Sequence, residues 1–152
     1  MYFLKLYKSE AANASKTLSQ NILISDILSK PLSAGLSRQF VDLQSPSVNF
    51  WDFGKRAATH IAKDDFVLIV CKSTAYFTEI IEKIEDDNGE LSTLLDWDPI
   101  FGKPWKNPYV LRVRTACPLS AQIQKIIDCA GEPLAKNFYS LSASAVGDIF
   151  VN

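Results

Sequence analysis

Phe66-Val67-Leu68-Ile69-Val70-Cys71 is the stretch on which the fold turns. The run is continuously apolar and is led by Asp64 and Asp65. It is short for a helix, and Phe and Val favour extended chain, so it predicts a central strand buried on both faces. Tyr109 to Arg114 (YVLRVR) gives a second strand by alternation. Tyr109, Leu111 and Val113 point one way, Val110, Arg112 and Arg114 the other. Near the N-terminus Tyr2, Leu4 and Leu6 alternate with Phe3 and Lys5, which predicts an opening strand. Phe77, Ile80, Ile81 and Ile84 have helical spacing, yet the turn signal Asp87-Asn88-Gly89 follows closely, and the segment is read as a strand.

Between and after these strands the pattern turns helical. Glu10 to Ser19 is small and polar, a loop or a helix start. Leu18, Ile22, Leu23 and Ile27 fall at helical spacing, and Pro31 stops that helix. Ser33 is placed to cap a short helix carrying Leu36 and Phe40, and Gln44 to Ser47 form a turn around Pro46. Leu91 to Leu95 reads as a helical turn. Pro118 and Ser120 start a helix with Ile123, Ile126, Ile127 and Ala130 inward, ended by Gly131. Phe138 to Val151 is a last irregular or stranded segment. There is no repeat, low-complexity run or linker. The fold class is therefore α+β, in a single domain spanning residues 1–152. The chain stops just after an apolar, strand-like segment, as a domain cut from a longer protein would.

Composition narrows the function. Of the 152 residues, 47% are hydrophobic and 22% charged, an ordinary globular balance that excludes disorder. No apolar run approaches the roughly 20 residues that span a bilayer, and Met1 to Glu10 lacks the apolar block of a signal peptide. A cytoplasmic protein without membrane partners is expected. The net charge of -1 argues against non-specific coating of nucleic acid, which needs many phosphate contacts, but leaves room for a local basic patch. Cys71, Cys117 and Cys129 are too few and too widely spaced for a disulfide framework or zinc knuckle, and free buried thiols are expected.

Catalytic chemistry finds little support. The single histidine, His60, lies in the amphipathic stretch Lys55 to Lys63, where a surface or structural role is the ordinary one. No metal set, phosphate loop or nucleophile elbow is legible. Asp86, Asp87 and Glu90 around Gly89 suit a charged hairpin tip, and Glu79, Glu82 and Glu85 a solvated face. A binding domain with no cofactor is expected rather than an enzyme.

The aromatic residues carry the functional signal. All three tryptophans sit in or beside segments rich in Gly, Pro, Asn and Asp. These are Asn49-Phe50-Trp51-Asp52-Phe53-Gly54 and the stretch from Trp97 through Lys103 and Trp105 to Tyr109. Loop aromatics can simply plug the end of a barrel. They can also stack on bases, each stack being worth about 1–3 kcal/mol, and two facing indoles suit a flipped or methylated base. Lys55, Arg56, Lys72, Lys103, Lys106 and Arg112 are their neighbours in sequence and candidate phosphate contacts.

The order of these features resembles the EVE/YTH group of the PUA-like superfamily. It runs from an opening strand ending Lys8-Ser9-Glu10 to an isolated Trp51, then Lys63-Asp64-Asp65 before an apolar strand. An aromatic pair Tyr76-Phe77 follows, and then Trp97 and Trp105 ahead of the strand Tyr109 to Arg114. Lys63-Asp64 stands where that group has a Gly-Asp turn, and the stretch from Glu10 to Asn49 is longer than expected. The resemblance implies a PUA-like curved β-sheet or barrel flanked by helices. It implies a base-binding cage of Trp51 with Trp97 or Trp105, with Phe53 and Phe77 beside it. Ser9, Asn49, Asp52, Lys72, Ser73, Lys103, Lys106 and Arg112 are then candidates for polar contacts to base or phosphate. Members of the group read modified bases in RNA, or sense modified DNA as N-terminal domains of McrB-type restriction systems, whose NTPase or nuclease lies in another domain or subunit. Modified DNA is the favoured partner by the size of the chain, and a reader of RNA modification is the alternative. An enzyme or protein-interaction domain whose aromatics are only core is the reading from outside that group.

Overall fold

The computed structural model describes residues 1–99, 106–121 and 138–141. Its strands are β1 (Tyr2–Lys5), β2 (Ile22–Leu23), β3 (Ser47–Trp51), β4 (Phe66–Cys71), β5 (Thr74–Lys83), β6 (Tyr109–Pro118) and β7 (Phe138–Ser140). They form a seven-stranded sheet in the order β2-β3-β6-β5-β4-β1-β7. Among the described residues only β1 and β4 run parallel, and every other pairing is antiparallel. Among the described residues β2 and β7 are edges, so the sheet is open rather than closed into a barrel. Two register shifts bend the β5–β6 ladder, between Phe77 and Thr78 and between Ile80 and Glu82.

The strand readings at Tyr2, Phe66, Phe77 and Tyr109 are all met. β4 is central and buried from Val67 to Cys71. β6 keeps its alternation and splits the core between two faces. Tyr109 and Leu111 join Leu4, Trp51, Val67, Ile69, Tyr76 and Ile80 on one face. On the other, Val110 joins Val48, Phe50 and Ile84, while Phe3, Leu68 and Val70 form a smaller patch.

Among the described residues five helices cover these faces: α1 (Ala11–Thr17), α2 (Ile24–Leu28), α3 (Ala34–Val41), α4 (Gly54–Ala58) and α5 (Glu90–Leu94). A single 3-10 turn, Lys8–Glu10, leads into α1. Ala14 and Leu18 from α1, and Ala57 and Ile61 from α4 and its exit, cover the Trp51 face. Ile27, Leu36, Phe40 and Leu91 from α2, α3 and α5 cover the other. Ser33 caps α3 by accepting the Leu36 amide, as its position in the sequence predicts.

Four sequence expectations are corrected. The helix read across Leu18 to Ile27 is divided: Leu18 ends α1, Ile22–Leu23 is β2, and α2 follows. Asn49 to Trp51 is strand, not loop, because it pairs residue for residue with Leu111 to Tyr109 of β6. Asp86 is not an exposed hairpin-tip charge. It is buried and accepts the Ser92 amide (3.1 Å) at the start of α5; burial raises its carboxyl above the usual range, with the amides of Ser92, Leu91 and Glu90 opposing. Pro118, read as a helix start, instead ends β6 opposite Thr74; the expected helix beyond residue 121, Cys129 and the chain beyond Leu141 lie outside the described residues.

Two turns show why their residues are there. The chain enters β4 through Asp64 at φ 68°, a left-handed conformation that glycine takes freely and aspartate tolerates. After Phe53 the chain turns at Gly54, φ 69°, whose N–H donates to Asp52 Oδ1 at 2.7 Å. A Cβ at Gly54 meets nothing within 4 Å, so only the backbone conformation opposes a side chain there. Gly54→Ala is expected to lose about 1–2 kcal/mol of stability in a denaturant melt, and Gly54→Asn less; equal midpoints for all three proteins would refute this.

Candidate nucleic-acid interface

The site is built where β2 ends. β2 pairs only with Ser47 and Val48, so the outer edge of β3 is open at Phe50 and Trp51. An open strand edge carries carbonyls that need partners. Thr17, at the end of α1, supplies one: its Oγ1 donates to the Phe50 carbonyl at 2.8 Å. The same oxygen accepts the indole Nε1–H of Trp97 at 3.2 Å. Trp97 stands over this edge, half-buried, edge-on to Trp51 with centroids 6.3 Å apart and planes at 70°.

The backbone around Trp97 is fixed on both sides. Asp96 ends α5 in the left-handed conformation, φ 54°, with its N–H on Thr93 O (3.1 Å) and that of Trp97 on Ser92 O (3.3 Å). This is a Schellman closure with aspartate in the usual glycine place. On the far side the Asn13 side chain donates to Asp98 O (2.9 Å) and accepts from Asp98 N (2.8 Å). Asn13 and Thr17 are both completely buried, one helical turn apart on α1. Lys16, between them, lies 3.7 Å from Asp96 and 3.5 Å from Asp98. The sequence reading missed this clamp. Its only signal was the spacing of Asn13 and Thr17 beside the apolar Ala14 and Leu18.

Beside the indole pair, Phe53 is buried edge-on against Tyr109 (5.2 Å, 79°), whose ring also lies 5.8 Å from Lys83 Nζ. Two carboxylates border this region. Burial raises Asp52 above the ordinary carboxylate range, opposed by the amides of Gly54, Asn107 and Lys106 and by the charge of Lys83. Burial likewise raises Glu10, with the Tyr7 amide opposing and the Asp52 charge adding to the rise. Asp52 therefore ties the turn after β3 to the segment entering β6.

The sequence-derived candidates do not all converge. Trp51, Phe53, Asp52 and Trp97 come together, but Trp51 is only 1% exposed and ends a strand instead of rimming a loop. Asn49 is buried and fully used: its amide donates to Gln20 O (3.0 Å) and Asn21 Oδ1 (3.1 Å) and accepts from Val113 N (3.1 Å). Phe77 stacks on Phe66 (5.1 Å) across the sheet from Trp51. Arg112 shares that opposite face and lies 3.9 Å from Glu79, which Arg114 also holds. Glu79 is thus half of an ion-pair cluster, not part of a solvated face. Ser9, Lys72, Ser73 and Lys106 are exposed, Lys72 and Ser73 at the β4–β5 turn. Lys103 and Trp105 lie outside the described residues. His60 is exposed, its ring 6.2 Å from that of Phe138, and no metal-binding group occurs among the described residues. No described helix is long and apolar enough to cross a membrane.

No family model and no curated protein matches the chain. Among solved structures, the N-terminal domain of Thermococcus gammatolerans McrB bound to m5C DNA is similar, with a TM-score of 0.64. The similarity covers 99% of this chain and 94% of that one, at 15% identity. The chain has the fold of that McrB domain. The expectation of a McrB-type α+β sheet flanked by helices is thereby met. At this identity the likeness to the McrB domain speaks for architecture, and the role of each side chain rests on its own geometry.

Proposed function

We propose that residues 1–152 form a single sensor domain that reads a modified base in DNA, as part of a modification-dependent restriction system. The observation that carries this reading is the end-to-end fold likeness to a McrB domain solved on m5C DNA. Locally, Trp51 and Trp97, two of the candidate cage aromatics, meet at the end of β3, with Trp51 covered in this state. In this reading a flipped methylated base stacks on Trp51 and Trp97, with Phe53 and Tyr109 stiffening the wall behind. The desolvated carboxylates of Glu10 and Asp52 make the region unfavourable for phosphate and leave it to an uncharged base. Lys106 is the described candidate for backbone contact; Arg112 drops out, because it serves Glu79 on the opposite face. Cleavage and NTP hydrolysis belong to a fused or partner subunit.

The test is equilibrium binding to matched duplexes carrying cytosine or m5C at one position, with an N6-methyladenine duplex and an m5C RNA as further arms. A preference for m5C DNA of tenfold or more is expected, with weak salt dependence because few phosphates are engaged. Equal affinity for methylated and unmethylated DNA would defeat the reading, and preference for the RNA would redirect it.

A further inference from the structure

We infer that the Thr17 hydroxyl is a latch that holds the indole pair closed, so that Thr17 sets the affinity for the base without touching it. The inference rests on the reading of Trp51 and Trp97 as the two walls. A base held between two indoles needs their planes nearly parallel, with room for a ring between them. Here the planes cross at 70° with centroids only 6.3 Å apart, and Trp51 is covered. No slot exists in this state, so one wall has to move. Trp51 is locked in β3 by its pairing with Tyr109. Trp97 has its backbone pinned from both sides, by the closure at Asp96 and by the two bonds between Asn13 and Asp98. What is left to move is the Trp97 side chain, half-buried against the core of the other face. The Nε1–H bond to Thr17 Oγ1 ties that side chain to α1 in the edge-on position. Turning the indole towards parallel breaks this bond, which makes Thr17 a positioning residue that favours the closed state. Binding of the base then works against the latch, and an affinity measured from the closed state includes its strength.

The experiment measures binding of the m5C and unmodified duplexes by the wild-type chain, Thr17→Val and Thr17→Ser. Valine keeps the shape and removes the acceptor; serine keeps the hydroxyl. Thr17→Val is expected to bind m5C DNA about two- to tenfold more tightly, the size of one net hydrogen bond, and Thr17→Ser to return to the wild-type value. In the wild-type protein, hydrogen exchange at the Trp97 indole N–H, assigned with Trp97→Phe, should quicken when m5C DNA is added. If Thr17→Val proves unstable, because it also strips the Phe50 carbonyl of its partner, this wild-type measurement decides. Unchanged or weaker binding by a folded Thr17→Val, or an indole N–H equally protected in the complex, overturns the latch while leaving the sensor reading intact. A wild-type chain with no preference for m5C DNA overturns both.

Discussion

Trp51→Ala is expected to cost the domain about 3–5 kcal/mol of folding stability, the range for truncating a buried aromatic. Trp51 is 1% exposed and packs with Phe53, Ile69, Tyr109 and Leu111 on one face of the sheet. Its removal leaves a cavity between β3, β6 and the helices above them. The sequence set this indole in a loop-like segment, as a wall open to a base. Its place in β3 reverses that. Trp51→Phe should keep much of the stability, since it preserves an aromatic body in the same cluster. Urea titrations of the three proteins measure the difference, and a loss below about 1 kcal/mol for alanine would mean that this face is not packed as described.

Trp97→Ala should behave differently. Trp97 is half-buried, sits at the sheet edge and contributes one indole hydrogen bond. Its loss is expected to lower affinity for m5C DNA roughly ten- to hundredfold, equivalent to about 1–3 kcal/mol of stacking on a base, and to destabilise the fold less than Trp51→Ala. The separation of the two effects is what matters. Parallel titrations of binding and unfolding would place Trp97 among the core residues if stability fell as far as for Trp51→Ala while affinity, measured well below the melting temperature, held.

The strands were legible where burial imposed a period. β4 is covered on both faces and reads as an unbroken apolar run; β6 separates two core clusters and alternates. β5 was harder, because the shift between Ile80 and Glu82 puts Ile81 and Ile84, three residues apart, against the same core and imitates helical spacing. β3 was missed because Asn49, Asp52 and Gly54 have loop composition. Asn49 is tolerated in a buried strand only because α1 and the chain after it, with β6, satisfy its amide. The approach of Trp51 to Trp97 was one of two pairings that the resemblance implied, and no local pattern in the sequence shows it. It depends on α5 ending in the left-handed turn at Asp96 and on Asn13 reaching across from α1. The same holds for the separation of Phe77 and Arg112 from the tryptophans, which follows from strand parity once register is known.

The position of β1 has a consequence for how the chain comes together. Its neighbours are β4 on one side and β7 on the other, so Tyr2–Lys5 pairs with Val67–Val70 and with Phe138–Ser140. During synthesis the first strand emerges with no partner and has to stay unpaired until residue 70 has left the ribosome. The second ladder waits for Phe138–Ser140. Closing such long loops is entropically demanding before any contact rewards it, which places this topology among slow, late-committing folders. An apolar strand left waiting for its partner is also a site for association between copies. The alternating Lys5 and Lys8, charged and exposed in the finished fold, then act early, keeping Phe3, Leu4 and Leu6 from finding the wrong partner.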